Sequence, residues 1–147
     1  MRVDLKVVHG FLTNSYWAKG IPLETVQRSL QNSLCFGIYL QQNQGSGSDT
    51  RQVGFARVIT DHATFAYLAD VFVLDEFRGR GLSKWLMECI VKHPELQGLR
   101  RWCLVTRDAH GLYEQFGFKA LPAPERWMER NDNDPEVYAR SSRPAVP

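Results

Sequence analysis

The stretch Arg78-Gly79-Arg80-Gly81-Leu82-Ser83 lies between an apolar, strand-like run, Val71 to Leu74, and a helical pattern that begins at once. Glycine at such a junction lets the backbone approach a ligand closely and adopt positive φ where a turn needs it. The first amides of the helix lack internal partners and point into the turn, so with the helix dipole they make an anion site suited to a phosphate or pyrophosphate. Arg78, Arg80 and Lys84 can add charge-assisted hydrogen bonds. An ordinary glycine-containing connection has the same short signature, so the motif alone leaves both readings open. Two nucleotide motifs fail here. A Walker loop needs Gly-Lys-Ser/Thr, whereas Gly81 precedes Leu82-Ser83, and the dinucleotide fingerprint needs a third glycine where Lys84 stands. Asp70, inside the apolar segment LADVFV, is the other conspicuous residue. A charge there is costly unless it is paired, for instance with Arg57, or faces a cleft.

These residues need elements to hold them. The alternation in RVDLKVV predicts a first strand, and PLETVQRSLQN an amphipathic helix with Leu23, Val26 and Leu30 on one face and Pro22 in its first turn. TNSYWAKGI between them reads as a short helix or turn. LCFGIYLQ predicts a strand and QNQGSGSDT a polar hairpin loop, followed by an antiparallel pair, RQVGFARVIT and TFAYLADVFVL. Leu82, Trp85, Leu86, Cys89 and Ile90 have the spacing of a core-facing helix that stops at Lys92-His93-Pro94. RRWCLVT predicts a mostly apolar, central strand, and DAHGLYEQFGF a short helix from Asp108 to Phe116 ended by Gly117. FKAL and RWMER are expected to form short final strands. The fold class is therefore mixed α/β of the α+β type, a mainly antiparallel sheet with one parallel strand–helix–strand insertion.

The 147 residues suffice for one domain, expected over 1–130, with a polar, proline-containing and mobile tail over 131–147. A net charge of +2 argues against nucleic acid or a membrane surface as the main partner. No apolar run reaches the length of a membrane span, and the charged N-terminal segment does not read as a signal peptide. Cys35, Cys89 and Cys103 are widely spaced amid apolar residues, which predicts buried thiols and a reducing, cytoplasmic setting. The 4 histidines have no metal-ligand spacing, so no metal site is expected.

The segment around the glycines resembles the GNAT acyltransferase superfamily. Its coenzyme A loop reads Gln/Arg-x-x-Gly-x-Gly/Ala, and residues 78–83 are similar, with Ser83 in the last small position. FAYLADVFVLDEFRGRGLSKWLM looks like the family's fourth strand, loop and third helix, and RRWCLVTRDAHGLYEQFGF like its fifth strand and following helix. The resemblance, carried from about Val53 to Phe118, implies the acyl-CoA N-acyltransferase fold with splayed strands four and five. It also implies acetyl-CoA as co-substrate and an amine, small-molecule or peptide, as acceptor. The pyrophosphate would meet the amides of Arg78, Gly79, Arg80, Gly81, Leu82 and Ser83, and the pantetheine arm the main chain of Val71, Phe72 and Val73. Thr106, where many relatives carry asparagine, falls at a further cofactor contact. Relatives often dimerise.

Tyr113 occupies the position of the family's frequent tyrosine, whose hydroxyl serves the departing thiolate. A free tyrosine (pKa about 10) is a weaker acid than a thiol (about 8.5), so a hydrogen bond strengthening as sulfur gains charge describes that role better than early proton donation. Packing against Phe116 is the structural alternative. An alkyl amine is mostly protonated at pH 7, and its deprotonation costs about 4–5 kcal/mol. Asp70, or a water it orders, could hold the cation and take the proton, and equally Asp70 could serve only as the Arg57 partner. Asp108 and His110 are alternatives, Asp108 reading equally well as a helix cap. Tyr16, Trp17 and Glu24 lie where relatives build an acceptor wall, and Tyr67 and His62 could line the same cleft. The alternative on this fold is a non-catalytic acyl-CoA-binding regulatory module.

Overall fold

The N-terminal segment folds as a helix, not the expected strand. In the computed structural model, which describes residues 3–44, 47–132, 134 and 136–140, the Asp4 carboxylate accepts from Lys6 N at 3.0 Å and Val7 N at 3.2 Å. That cap opens α1 (Leu5–Leu12), whose Val8 and Leu12 are buried at helical, not alternating, spacing. A turn leads to α2 (Leu23–Gln31), where Val26 is buried, Leu23 is exposed and Pro22 stands at the cap. β1 (Leu34–Gln44) and β2 (Gly47–Thr60) run close to residues 45–46, so the polar segment expected as a loop is largely paired strand. Residues 45–46 of that segment lie outside the described residues.

β2 turns at Asp61–Thr64 into β3 (Phe65–Val73) in antiparallel register. The Asp61 carboxylate accepts from the Thr64 hydroxyl and from the amides of Ala63, Thr64 and Phe65, and these bonds, the hydroxyl foremost, hold it well below the usual carboxylate range. A short 3₁₀ turn, Asp75–Phe77, and the glycine loop lead to α3 (Leu82–Val91). Leu86, Met87 and Ile90 are its buried face. Trp85 and Cys89 are exposed, against expectation, because the helix is turned by about one position relative to the stripe read from the sequence. All three thiols are free, with Cys35 and Cys103 half-buried.

β4 (Arg101–Leu104) pairs parallel to β3, and the sheet order is β1-β2-β3-β4. β4 is thus an edge strand, not a central one; its apolar residues are covered from the faces, with the Trp102 ring edge-on to Phe118 at 6.3 Å. The expected final strands do not form: after α4 (His110–Glu114) the chain continues irregularly through a 3₁₀ turn at Pro124–Arg126. Pro122 and Pro124 remove ladder donors where a fifth strand would begin. In the expected tail, Val137–Arg140 form a short helix, α5.

Two cores flank the sheet. One joins α3 and α4 to Val58, Ala66, Leu68 and Val73; the other joins α1 and α2 to Phe55 and Phe72. Two features of β3 open a cleft. Its pairing with β4 runs from Phe65↔Arg101 only to Leu68↔Leu104, while β3 continues to Val73, so the expected fourth and fifth strands part. Just beyond that last pair, β3 carries a bulge: Phe55 faces Phe72 and Arg57 faces Ala69, leaving Asp70 and Val71 opposite Ala56 alone. Asp70 takes up the extra residue in a left-handed conformation, φ 54°, which costs on the order of 1–3 kcal/mol.

Candidate active site

A cleft of about 1450 Å³ occupies the gap between the parted ends of β3 and β4. At one end lies the glycine loop. Gly79 and Gly81 have φ 77° and 74°, so both need the left-handed region that glycine adopts without strain. Gly81 is the cap residue of α3 and no side chain caps the helix. Trp85 N finds Gly81 O at 3.1 Å, so the helix ladder begins there and the amides before it are left for an external partner. Gly79, Gly81, Leu82, Ser83 and Lys84 line the cleft. Arg78 also lines it, but its Nε donates to Val73 O at 3.3 Å and its guanidinium pairs with Asp75 at 3.2 Å. Arg80 is not a cleft residue: its guanidinium rests over the Phe77 ring, 5.4 Å from the centroid. Backbone amides, with Lys84, are the positive end of this site.

Tyr113 comes from α4 and faces the middle of the cleft with only 8% of its surface exposed. Its ring meets Phe118 edge-on at 6.0 Å. Burial pushes its phenol above the ordinary value, and the nearby Tyr16 hydroxyl adds to the shift, so the group stays a neutral donor. Thr106 lines the cleft while its Oγ1 accepts from Ala109 N at 3.0 Å. That bond braces the turn into α4, a role Asp108 could have taken; Asp108 instead lines the cleft and His110 does not.

At the other end stands Asp70. Its Oδ2 accepts from Arg57 Nε at 2.9 Å and its Oδ1 from Trp17 Nε1 at 2.8 Å. The ion pair is largely enclosed, with side-chain exposures of 16% for Arg57 and 10% for Asp70. Both carboxylate oxygens are therefore engaged, and only their remaining lone pairs are open to a ligand. Trp17 continues into an aromatic wall, edge-on to Tyr16 at 5.0 Å and tilted against Phe11 at 6.1 Å. Across the cleft the Arg107 guanidinium lies over the Tyr16 ring at 4.0 Å. Tyr67 and Tyr138 border the same space; burial chiefly, and then the Asp70 charge, raise both phenols.

Of the residues singled out in the sequence, Tyr16, Trp17, Tyr67, Asp70, Tyr113 and the β3 and glycine-loop positions other than Arg80 converge on this one cleft. Glu24 and His62 stand outside it. Arg57, Arg107, Glu129 and Tyr138 were not read as lining residues. The Arg57–Asp70 pairing was foreseeable as a charge needing a partner, whereas Arg107, Glu129 and Tyr138 carry no local motif. Among the described residues no cluster of metal-ligating side chains occurs, and no helix is long and apolar enough to cross a membrane.

Comparison with known proteins agrees with this geometry. The Acetyltransferase (GNAT) domain profile matches residues 37–120. A protein of Xanthomonas campestris pv. campestris assigned to the GNAT acetyltransferases is 51% identical, and its structure superposes with a TM-score of 0.82 over 93% of this chain and 90% of the other. A Gibberella zeae protein named as an acetyltransferase is 35% identical over 111 residues, 67% of this chain; the matched part is 62% of that protein's length. An acetyltransferase from Clostridium acetobutylicum, solved with acetyl-CoA, is 16% identical and shares the fold at a TM-score of 0.59, covering 88% of this chain and 92% of that one. The uncapped helix in a splayed sheet and these likenesses lead to one conclusion: the chain belongs to the GNAT acetyltransferase family.

Proposed function

We propose that this protein is an N-acetyltransferase that moves an acetyl group from acetyl-CoA to a primary amine by direct attack in a ternary complex. The observation that carries this reading is that the uncapped N-terminus of α3 and the side chain of Tyr113 line one cleft. The donor supplies an activated thioester. The amides of Gly79 to Lys84 hold its pyrophosphate, and the free main chain of β3 beyond Leu68 holds the pantetheine arm and polarises the acyl carbonyl. Asp70 and the aromatic wall of Tyr16, Trp17 and Tyr67 receive the amine, and Asp70 orders the water that takes its proton. The amine nitrogen bonds to the carbonyl carbon, the carbon–sulfur bond breaks, and Tyr113 donates a hydrogen bond to the sulfur as it becomes thiolate.

Incubation of acetyl-CoA with a broad panel of primary amines, followed by thiol release, tests the reading. Amine-dependent release is expected. Tight CoA binding with no release from any amine points instead to a binding module.

Two further results are expected. Lys84→Ala should weaken CoA binding about fivefold to tenfold and flatten its salt dependence, whereas Arg80→Ala, whose guanidinium is committed to Phe77, should change it less than about threefold. Equal losses for both would contradict a cradle built mainly of amides and Lys84. The second concerns pH. Because burial raises the Tyr113 phenol, its proton is retained throughout the range below its ordinary pKa of about 10. The kcat/KM for the amine should therefore rise with pH toward the acceptor's own pKa, without an alkaline decline below about pH 10. A decline near pH 8.5 that disappears in Tyr113→Phe would overturn that assignment.

A further inference from the structure

We propose that Arg57 is a positioning residue for the acyl transfer, acting through Asp70 on both the bent main chain of β3 and the Trp17 wall; the inference rests on the reading given under Proposed function. Asp70 is the only residue other than glycine and His62 with positive φ among those described, and it lies within a strand, not a turn. A left-handed aspartate in a strand is held only if its surroundings fix it. Here one oxygen is fixed by Arg57 and the other by Trp17. Arg57 is itself anchored, because its Nη1 donates to Ser33 Oγ at 3.1 Å while Nε serves Asp70. The planar guanidinium sets the angle between those two bonds, which an ammonium group cannot do.

The network thus joins four parts of the chain: Ser33 ahead of β1, Arg57 on β2, the bulge of β3, and the loop that carries Trp17. Its two outputs are both functional in the proposed chemistry. One is the direction of the Asp70–Val71 main chain, part of the β3 backbone that polarises the acyl carbonyl in that reading. The other is the Trp17 indole on the acceptor side. The glycine cradle lies beyond a separate 3₁₀ turn and makes no hydrogen bond to this network. Loss of Arg57 should therefore disturb acceptor use and turnover while leaving CoA binding nearly intact. An enclosed charge pair with a purely structural role would not divide its effects in that way.

The test compares Arg57→Gln and Arg57→Lys with the wild type, after circular dichroism has established that each is folded. The expected result for Arg57→Gln is kcat lower by about tenfold to a hundredfold and a raised amine KM, with the CoA Kd within about threefold of wild type. Arg57→Lys should recover part of kcat, since it keeps a cation beside Asp70 but loses the Ser33 bond. Wild-type kcat and KM in Arg57→Gln would overturn the proposal, and so would a parallel loss of CoA binding and turnover. Amide spectra of the same variants give a readout independent of catalysis, which decides the matter even if no amine proves to be a substrate. The Asp70 and Val71 amides and the Trp17 indole N–H should shift in Arg57→Gln while those of Gly79 and Gly81 stay in place. If the three resonances do not move, Arg57 is not the clamp.

Discussion

Gly81→Val is expected to lower CoA affinity about a hundredfold, close to 2.7 kcal/mol. The loss does not arise from a clash, because a Cβ at Gly81 would meet nothing within 4 Å. It arises from φ, which at 74° lies where a β-branched residue is strongly disfavoured. The backbone must either keep that strain or rotate out of it. Rotation turns the Leu82 and Ser83 amides away from the cleft and moves the start of α3. Gly81→Ala, which faces the same φ without branching, should lose about five- to tenfold. Calorimetric titration with CoA measures both, and an unchanged affinity in Gly81→Val would show that these amides do not hold the anion.

Tyr113→Phe is expected to reduce kcat by about 10²- to 10³-fold, the usual effect of removing one well-placed donor to a developing anion. The ring contributes packing on its own, edge-on to Phe118 and nearly enclosed. Phenylalanine keeps that packing, so CoA affinity and thermal stability should stay close to wild type. Pre-steady-state acetyl transfer and CoA titration on the same sample separate the two effects. Equal losses in both would make Tyr113 a binding residue, and normal turnover would assign the thiolate to another donor.

The parts of the fold legible in the sequence were those whose periodicity is strong and local. α2, the β2–β3 hairpin and the length of α3 follow from apolar spacing and from Pro94. α1 is hidden because Val3, Leu5 and Val7 alternate like a strand over a short window, while Asp4 within that alternation is in fact the helix cap. The edge position of β4 depends on what fails to pair beyond it, which is a property of Pro122 and Pro124 and not of RRWCLVT itself. The candidate site was legible to the extent that a short motif fixes a backbone: the glycine loop and Tyr113 fall in one cleft. Where a side chain turns is not legible: Arg80 and His110 sit in the motifs of the site but do not line the cleft. The β3 bulge was hidden for a different reason. It is a relation between two strands, and nothing in LADVFV alone announces it.

That extra residue also decides which interior Asp70 belongs to. Ala66 and Leu68 point into the core beneath α3, and in a regular strand residue 70 would follow them. The bulge reverses the alternation, so Phe72 instead enters the core beneath α1, and the Asp70 side chain meets Arg57 and Trp17. Straightening β3 would relieve the left-handed strain of about 1–3 kcal/mol but drive an unpaired carboxylate among Leu86, Met87 and Ile90, at a cost of several kcal/mol. The kink is therefore held from two sides: Arg57 and Trp17 satisfy the carboxylate where it stands, and its charge makes the regular strand intolerable. Asp70→Val would remove both holds, and its strand should be free to return to an unbroken two-residue rhythm.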